Sequence, residues 1–307
     1  MTTIRRDRSR SGLWQRLAML LSMAAAGAVT AAPLELPALQ SGVSGEHHVG
    51  KVIWVELITP GLATAESFYG GLFGWTFEDT HAGLSDYAVA AANGRRIGGI
   101  VQRPIKPGEH KQSSWLTFLS VKNVDAASVA IRKSGGKVLS QPTTYGGRGT
   151  QAVFSDPDGA VFAVLDSSGG DPADFLAEPG EWIWSSVLAK NPDAAAKFYR
   201  NIFGYDVFDL PSTDGLVHVV LSNEDYARAG VNALPADKMH RRSHWLNFVR
   251  VEDTVATVHK AVALGGRVLV EPHVDRHGGK VALLADPAGA PFGILEWTAA
   301  DSQVEPK

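Results

Sequence analysis

The stretch from Trp54 to Trp75 is written twice in this chain, and that constrains its fold more than any other feature. Trp54, Phe68, Tyr69, Phe73 and Gly74 recur as Trp184, Phe198, Tyr199, Phe203 and Gly204, always 130 residues further on. The offset does not drift. Ser113, Trp115, Leu116, Phe118 and Val121 return as Ser243, Trp245, Leu246, Phe248 and Val251, and Gly135-Gly136 as Gly265-Gly266. Asp156-Pro157 with Gly159 returns as Asp286-Pro287 with Gly289. Solenoid repeats run roughly 20 to 50 residues, so a period this long marks a small domain copied once. A chain of 307 residues has room for two such domains.

Residues 1 to 31 hold five Arg and one Asp. The Arg-rich start, the apolar run from Leu17 to Val29, and Val29 and Ala31 placed as the small residues of a cleavage site together describe a secretory signal peptide. The run is shorter than the roughly 20 residues that span a bilayer. Arg5-Arg6 leaves both general and twin-arginine export open. The expectation is a periplasmic or secreted protein starting near Ala32, with no membrane attachment after cleavage. Residues 32–48, rich in Pro, Gly and Ser and without periodicity, are expected to be a linker. Modules at 49–168 and 180–299, a second linker at 169–179 and a tail at 300–307 complete the division.

Beyond the leader, 24 Lys and Arg face 31 Asp and Glu. An acidic body without clustered basic residues argues against nucleic acid or an anionic membrane as partner. The absence of cysteine removes disulfides, thiolate nucleophiles and thiolate metal sites. Any metal would need His, Asp or Glu.

Within each copy the pattern alternates between strand and helix. Val52 to Ile58 is a β-branched apolar run stopped by Pro60-Gly61. From Leu62 to Phe73, Leu62, Ala65, Phe68, Tyr69, Leu72 and Phe73 recur at helical spacing, and Gly74 supplies a left-handed cap. In the second copy Asn191 or Asp193 can cap the matching helix. Tyr87 to Ala92 and Ile97 to Gln102 flank Asn93-Gly94, a hairpin turn. Ser114 to Val121 is a strand and Val124 to Ser134 a helix stopped by Gly135-Gly136. Gln151 to Ser155 and Ala160 to Asp166 flank the turn Asp156-Pro157-Asp158-Gly159. Each copy is therefore an α+β domain in which strand, helix and strands occur twice.

This order, with Phe-Tyr late in the first helix, Gly-Gly after the second and Asp-Pro-Asp-Gly before the last strand, resembles the vicinal oxygen chelate superfamily. Glyoxalase I, extradiol dioxygenases, fosfomycin-resistance enzymes and bleomycin-binding proteins belong to it. The resemblance implies tandem βαβββ modules whose mixed, curved sheets surround a cleft, and in the enzymes a divalent metal in that cleft. It also implies where ligands to that metal would fall. The first-strand position is Trp54 in one copy and Trp184 in the other, and an indole has no lone pair to give a metal. The last-strand position falls on Ala163 and Gly293. The fifth-strand position falls on Leu116 and Leu246, or on Trp115 and Trp245 if the face shifts by one. The hairpin position falls near Gly98-Gly99 and Arg228-Ala229. None of these can supply the imidazole or carboxylate such a site requires. No cofactor is expected, with a divalent metal as the alternative.

Other residues remain as candidates. Glu56 lies two residues beyond Trp54, on the same strand face, and is the candidate general base. His218 and His244 are candidates for an atypical metal site, with His273 and His277 also near predicted strands. Trp54, Trp115, Trp184, Trp245 and Ser186 are candidates to line a cleft. The glycine-rich loops Tyr145 to Gly149 and Asp275 to Gly279 carry Arg148 and His277, which can meet a ligand at a cleft mouth. Three functions follow: a metal-free protein binding a small, partly apolar or aromatic molecule between its modules, a metalloenzyme with an atypical site, or a metal-independent enzyme using Glu56. Two fused modules remove the need for a dimer, so monomer and homodimer are both open.

Overall fold

The computed structural model describes residues 35–82, 85–103, 113–210, 217–234, 242–275 and 279–297. The first module runs β1 (Val52–Thr59), α1 (Leu62–Phe73), β2 (Thr76–Ala82), β3 (Ser85–Ala92), β4 (Arg95–Gln102), β5 (Ser114–Ser120), α2 (Val124–Lys133), β6 (Lys137–Tyr145), β7 (Gly149–Ser155) and β8 (Val161–Ser167). The second runs β9 (Trp182–Ala189), α3 (Pro192–Phe203), β10 (Asp206–Asp209), β11 (His218–Asn223), β12 (Tyr226–Ala233), β13 (His244–Val251), α4 (Thr254–Ala263), β14 (Arg267–Val274), β15 (Lys280–Ala285) and β16 (Pro291–Glu296). Each is βαβββ twice. Local signals set the helices: Asn191 accepts from the Ala194 N–H at the start of α3, and Gly74 and Gly204 close α1 and α3 with φ of 76° and 72°.

Each module folds into one eight-stranded mixed sheet, in the orders β2-β3-β4-β1-β5-β8-β7-β6 and β10-β11-β12-β9-β13-β16-β15-β14. The central pairings agree to the residue. Trp54 pairs with Phe118 as Trp184 pairs with Phe248, and Trp115 pairs with Leu57 as Trp245 pairs with Val187. Strands β2 and β6, which no apolar alternation announces, are sheet edges. Pro142 lies where the β6 register slips against β7, a place that tolerates a missing donor.

The outer faces of the sheets meet. The β1–β4 half with α1 packs against the β13–β16 half with α4, and the β5–β8 half with α2 packs against the β9–β12 half with α3. On the axis between modules, Thr117 Oγ1 donates to Asn247 Oδ1 at 3.1 Å, and these two residues are the same position of the repeat. The repeated motifs form a pair of staples across the seam. Trp115 Nε1 donates to Tyr69 Oη (3.0 Å), which donates to Asp286 (3.4 Å). Trp245 Nε1 donates to Tyr199 Oη (3.0 Å), which donates to Asp156 (3.4 Å). Trp115 and Trp245 are thus seam residues rather than cleft residues. Strands buried on both faces carry no alternation from which their inner side can be read.

The expected linkers are packed structure. Leu36 N–H donates to Gly146 O at 3.1 Å, and Leu36 and Leu39 are buried among Trp54, Tyr87, Phe118 and Tyr145 on the inner face of the first sheet. In the segment between modules, Asp171 accepts from the His48 N–H (2.6 Å), and Asp174 pairs with both Lys51 and Arg228 at 2.8 Å. These segments escape periodicity because two or three side chains and a few backbone bonds hold them.

Candidate functional site

The two concave faces are built on the same positions and differ in what fills them. In the first module Trp54 and Glu56 point inward from β1, Tyr87 from β3 and Tyr145 from the end of β6, and all are buried. Arg148, fully buried on the loop before β7, reaches in over them. Its guanidinium lies 4.8 Å from the Trp54 ring centre, donates to Tyr87 Oη at 3.0 Å and to Pro37 O at 2.6 Å, and stands 3.8 Å from Glu56. Tyr87 Oη donates to Glu56 at 2.9 Å. Burial pushes the Glu56 carboxyl above its ordinary value, while Arg148, Tyr87 and Trp54 partly hold it down. Burial likewise pushes the Tyr87 and Tyr145 hydroxyls up. The segment carrying Leu36 and Leu39 closes the face. Glu56 and Arg148 therefore serve an internal ion-paired network, and the carboxylate is not presented to an open cleft as a base would have to be.

In the second module the same face is open. It surrounds a cavity of about 690 Å³ within the sheet rather than between modules, where the cores meet. The size is that of a pocket for a drug-sized molecule. Trp184, Phe248 and Trp297 with Leu188, Leu246 and Leu295 make its walls mostly apolar. One polar corner interrupts them. Trp184 Nε1 donates to Ser186 Oγ (2.9 Å), and His218 Nδ1 lies 2.8 Å from Asn232 Oδ1 across the β11–β12 ladder. Gly230, opposite Ser186, keeps this corner possible: a Cβ there would stand 2.7 Å from Ser186 Oγ and 3.2 Å from Trp184 Nε1. At the mouth the His273 ring lies 2.9 Å from Glu271 O, and Asp275 accepts from the Gly279 N–H at 3.0 Å. A more polar hollow of about 540 Å³ adjoins, lined by Lys51, Asp174, Trp182, Ser185 and Arg228.

The structure thus brings Trp184, Ser186 and His218 together at one open cavity, with Trp54, Glu56 and Arg148 at the closed one. His244 opens β13, its ring 3.0 Å from Arg242 O. His277 lies outside the described residues. Sequence reasoning missed Asn232, Phe248 and Trp297. Phe248 was visible as the repeat of Phe118, and Asn232 as the cross-strand partner of His218.

The divalent metal implied by the fold family does not fit the donors present. Trp184, Phe248 and Gly293 form one row across β9, β13 and β16. The Phe248 ring lies directly on Gly293, so no ligating side chain has room at that position. Trp54, Phe118 and Ala163 repeat the row in the first module. Among the described residues no three of His, Cys, Asp or Glu gather closely enough to hold a metal ion, so His218 and His244 do not form such a group.

Residues 48–164 match the Glyoxalase/Bleomycin resistance protein/Dioxygenase superfamily, and residues 185–295 match the Glyoxalase-like domain. The chain is 31% identical over 253 residues to "Putative glyoxylase CFP32" of Mycobacterium tuberculosis, covering 82% of this chain and 96% of that protein. It is 32% identical over 259 residues to the anthracycline biosynthesis protein DauV of a Streptomyces species, covering 80% and 93%. Among solved structures it resembles the Mn(II)-bound glyoxalase from Novosphingobium aromaticivorans, with a TM-score of 0.55 and 16% identity over 82% of this chain and 84% of that one. A variant of homoprotocatechuate 2,3-dioxygenase from Brevibacterium fuscum gives 0.57 and 12% over 88% and 74%. At such identities the structural likeness is one of fold.

Proposed function

This chain belongs to the Glyoxalase/Bleomycin resistance protein/Dioxygenase superfamily, and from that premise we propose that it is an exported protein whose second module binds a small, partly apolar or aromatic molecule without a divalent metal. The observation carrying this reading is the contrast between the duplicated faces. One is closed by Arg148, Leu36 and Leu39, while its repeat surrounds about 690 Å³ of mostly apolar space with a polar corner at Ser186, His218 and Asn232. Apolar walls with a few placed polar groups are the usual form of a small-molecule site. A relative named for anthracycline biosynthesis agrees with an aromatic occupant. The Arg-rich leader supports export, and Glu35, shortly beyond the expected cleavage site, already bridges to Gly146. Titration of the mature protein with a panel of small aromatic molecules, followed by tryptophan fluorescence and calorimetry, tests the binding. One site per chain, weakened by Phe248→Asp, is the expected result. Binding that survives this substitution unchanged places the ligand elsewhere.

A further inference from the structure

The first module contains a filled version of the second module's cavity, and what fills it indicates the chemistry of the missing occupant. Trp54 and Trp184 hold equivalent registers, each opposite a Phe of the neighbouring strand. Glu56 lies opposite Gly99 as Ser186 lies opposite Gly230. Tyr87 lies opposite Val101 as His218 lies opposite Asn232. The two floors therefore correspond side chain by side chain: indole, then Glu or Ser, then Tyr or His.

Above the first floor sits a flat, conjugated group, the Arg148 guanidinium, lying over the Trp54 ring and donating to the hydroxyl of Tyr87. The aliphatic side chains of Leu36 and Leu39 pack over the same face. At the repeat offset Arg148 becomes Gly278, so that position carries no guanidinium. The countercharge has changed as well. Glu56, which stands 3.8 Å from the guanidinium, is replaced by Ser186. The mostly apolar walls solvate a cation poorly where no countercharge meets it, so this floor suits an uncharged guest. The carboxylate on the cavity lining, Asp275, is held at the mouth by the Gly279 N–H, in the loop rather than on the floor.

We propose, resting on the reading of this cavity as a ligand site, that its occupant is a neutral planar conjugated molecule. It stacks on Trp184 and presents a hydroxyl or carbonyl oxygen to the corner formed by Ser186, His218 and Asn232. Its apolar remainder lies against Leu246 and Phe248, as Leu36 and Leu39 lie in the first module. Stacking on an indole adds about two- to tenfold in affinity beyond apolar burial, which separates a flat guest from a flexible one of equal area.

The test titrates the mature full-length protein with four probes: 2-naphthol, the cation 2-naphthamidine, the anion naphthalene-2-sulfonate and the flexible alcohol 1-decanol. The expected result is one site per chain with 2-naphthol tightest, Trp184→Ala weakening it by about fivefold or more, and Trp184→Phe retaining most of the affinity. Ser186→Glu, which restores the first module's carboxylate, should reverse the order of naphthol and naphthamidine. Circular dichroism confirms that each variant is folded, and Trp184→Phe carries the stacking test if Trp184→Ala is not. If naphthamidine leads in the wild type, or decanol equals naphthol and neither Trp184 substitution matters, the class of ligand is wrong while binding stands. If no probe binds the wild type, the ligand-site reading itself fails and takes this one with it.

Discussion

Arg148 shows how much one residue decides. It is fully buried, and its removal would leave Glu56 charged or protonated in an apolar face without its partner. Breaking a buried pair on one side costs about 3–5 kcal/mol, so Arg148→Met is expected to lower stability by that order in urea denaturation. Adding Glu56→Gln to Arg148→Met should recover part of the loss, and a double variant no better than the single one would show that the pair is not the cause. Residue chemistry also bears on the metal. Trp184, Leu246 and Gly293 offer no donor, and Phe248 covers Gly293. Protein prepared without chelator and extensively washed is expected to hold no stoichiometric zinc, nickel, manganese or iron by elemental analysis. About one tightly held metal per chain, lost on substitution of His218 or His244, would reverse this expectation. The vacancy of the ligand positions was legible in the sequence because it depends only on residue type. Which tryptophans face the cleft was not, because Trp115 and Trp54 lie in equally apolar strands and differ only by sheet side.

At the scale of elements, the turn between β7 and β8 holds a testable group. Burial pushes the Asp156 carboxyl from 3.8 up to about 6, against the N–H groups of Ala160 and Gly159 that favour its charged form. Asp286, in the repeated turn, is shifted in the same direction by burial. A raised carboxyl binds its proton more tightly in the folded chain. Its contribution to stability is therefore complete below about pH 4 and lost as the pH rises through about 6. Urea midpoints between pH 4 and 6 should fall more steeply for the wild type than for Asp156→Asn, and parallel curves would remove Asp156 from the account. The helices were legible because spacing and caps coincide, as at Asn191 and Gly204. Strands β2 and β6 were not, since edge strands with a polar side and a bulge at Pro142 lack the alternation that marks a half-buried strand. The segment around Leu36 and Leu39 was hidden for a different reason: its order comes from the surface it covers.

At the scale of the whole molecule the duplication was legible because the strongest motifs recur at one offset, and only over β3 and β4, where Gly99 answers to Gly230, does the offset become 131. The location of the cleft was not. A site was expected between the modules, whereas the cavity of about 690 Å³ lies inside the second sheet, and the outer faces that meet across the seam are filled by the packed aromatic rings of α1 and α3. The proposed export is tested on the whole chain: protein recovered from the periplasmic fraction is expected to begin near Ala32 by N-terminal sequencing. An intact Met1 on cytoplasmic protein would overturn it. The pairing of Thr117 with Asn247 also touches on descent. In a symmetric pair of identical subunits this position would meet itself, and one residue type would have to serve as donor and acceptor alike. Fusion into a single chain lifts that condition, and Thr on one side with Asn on the other is a solution no homodimeric forebear can reach. By the same freedom one half can surrender its hollow to its own leading segment while the other keeps its own open.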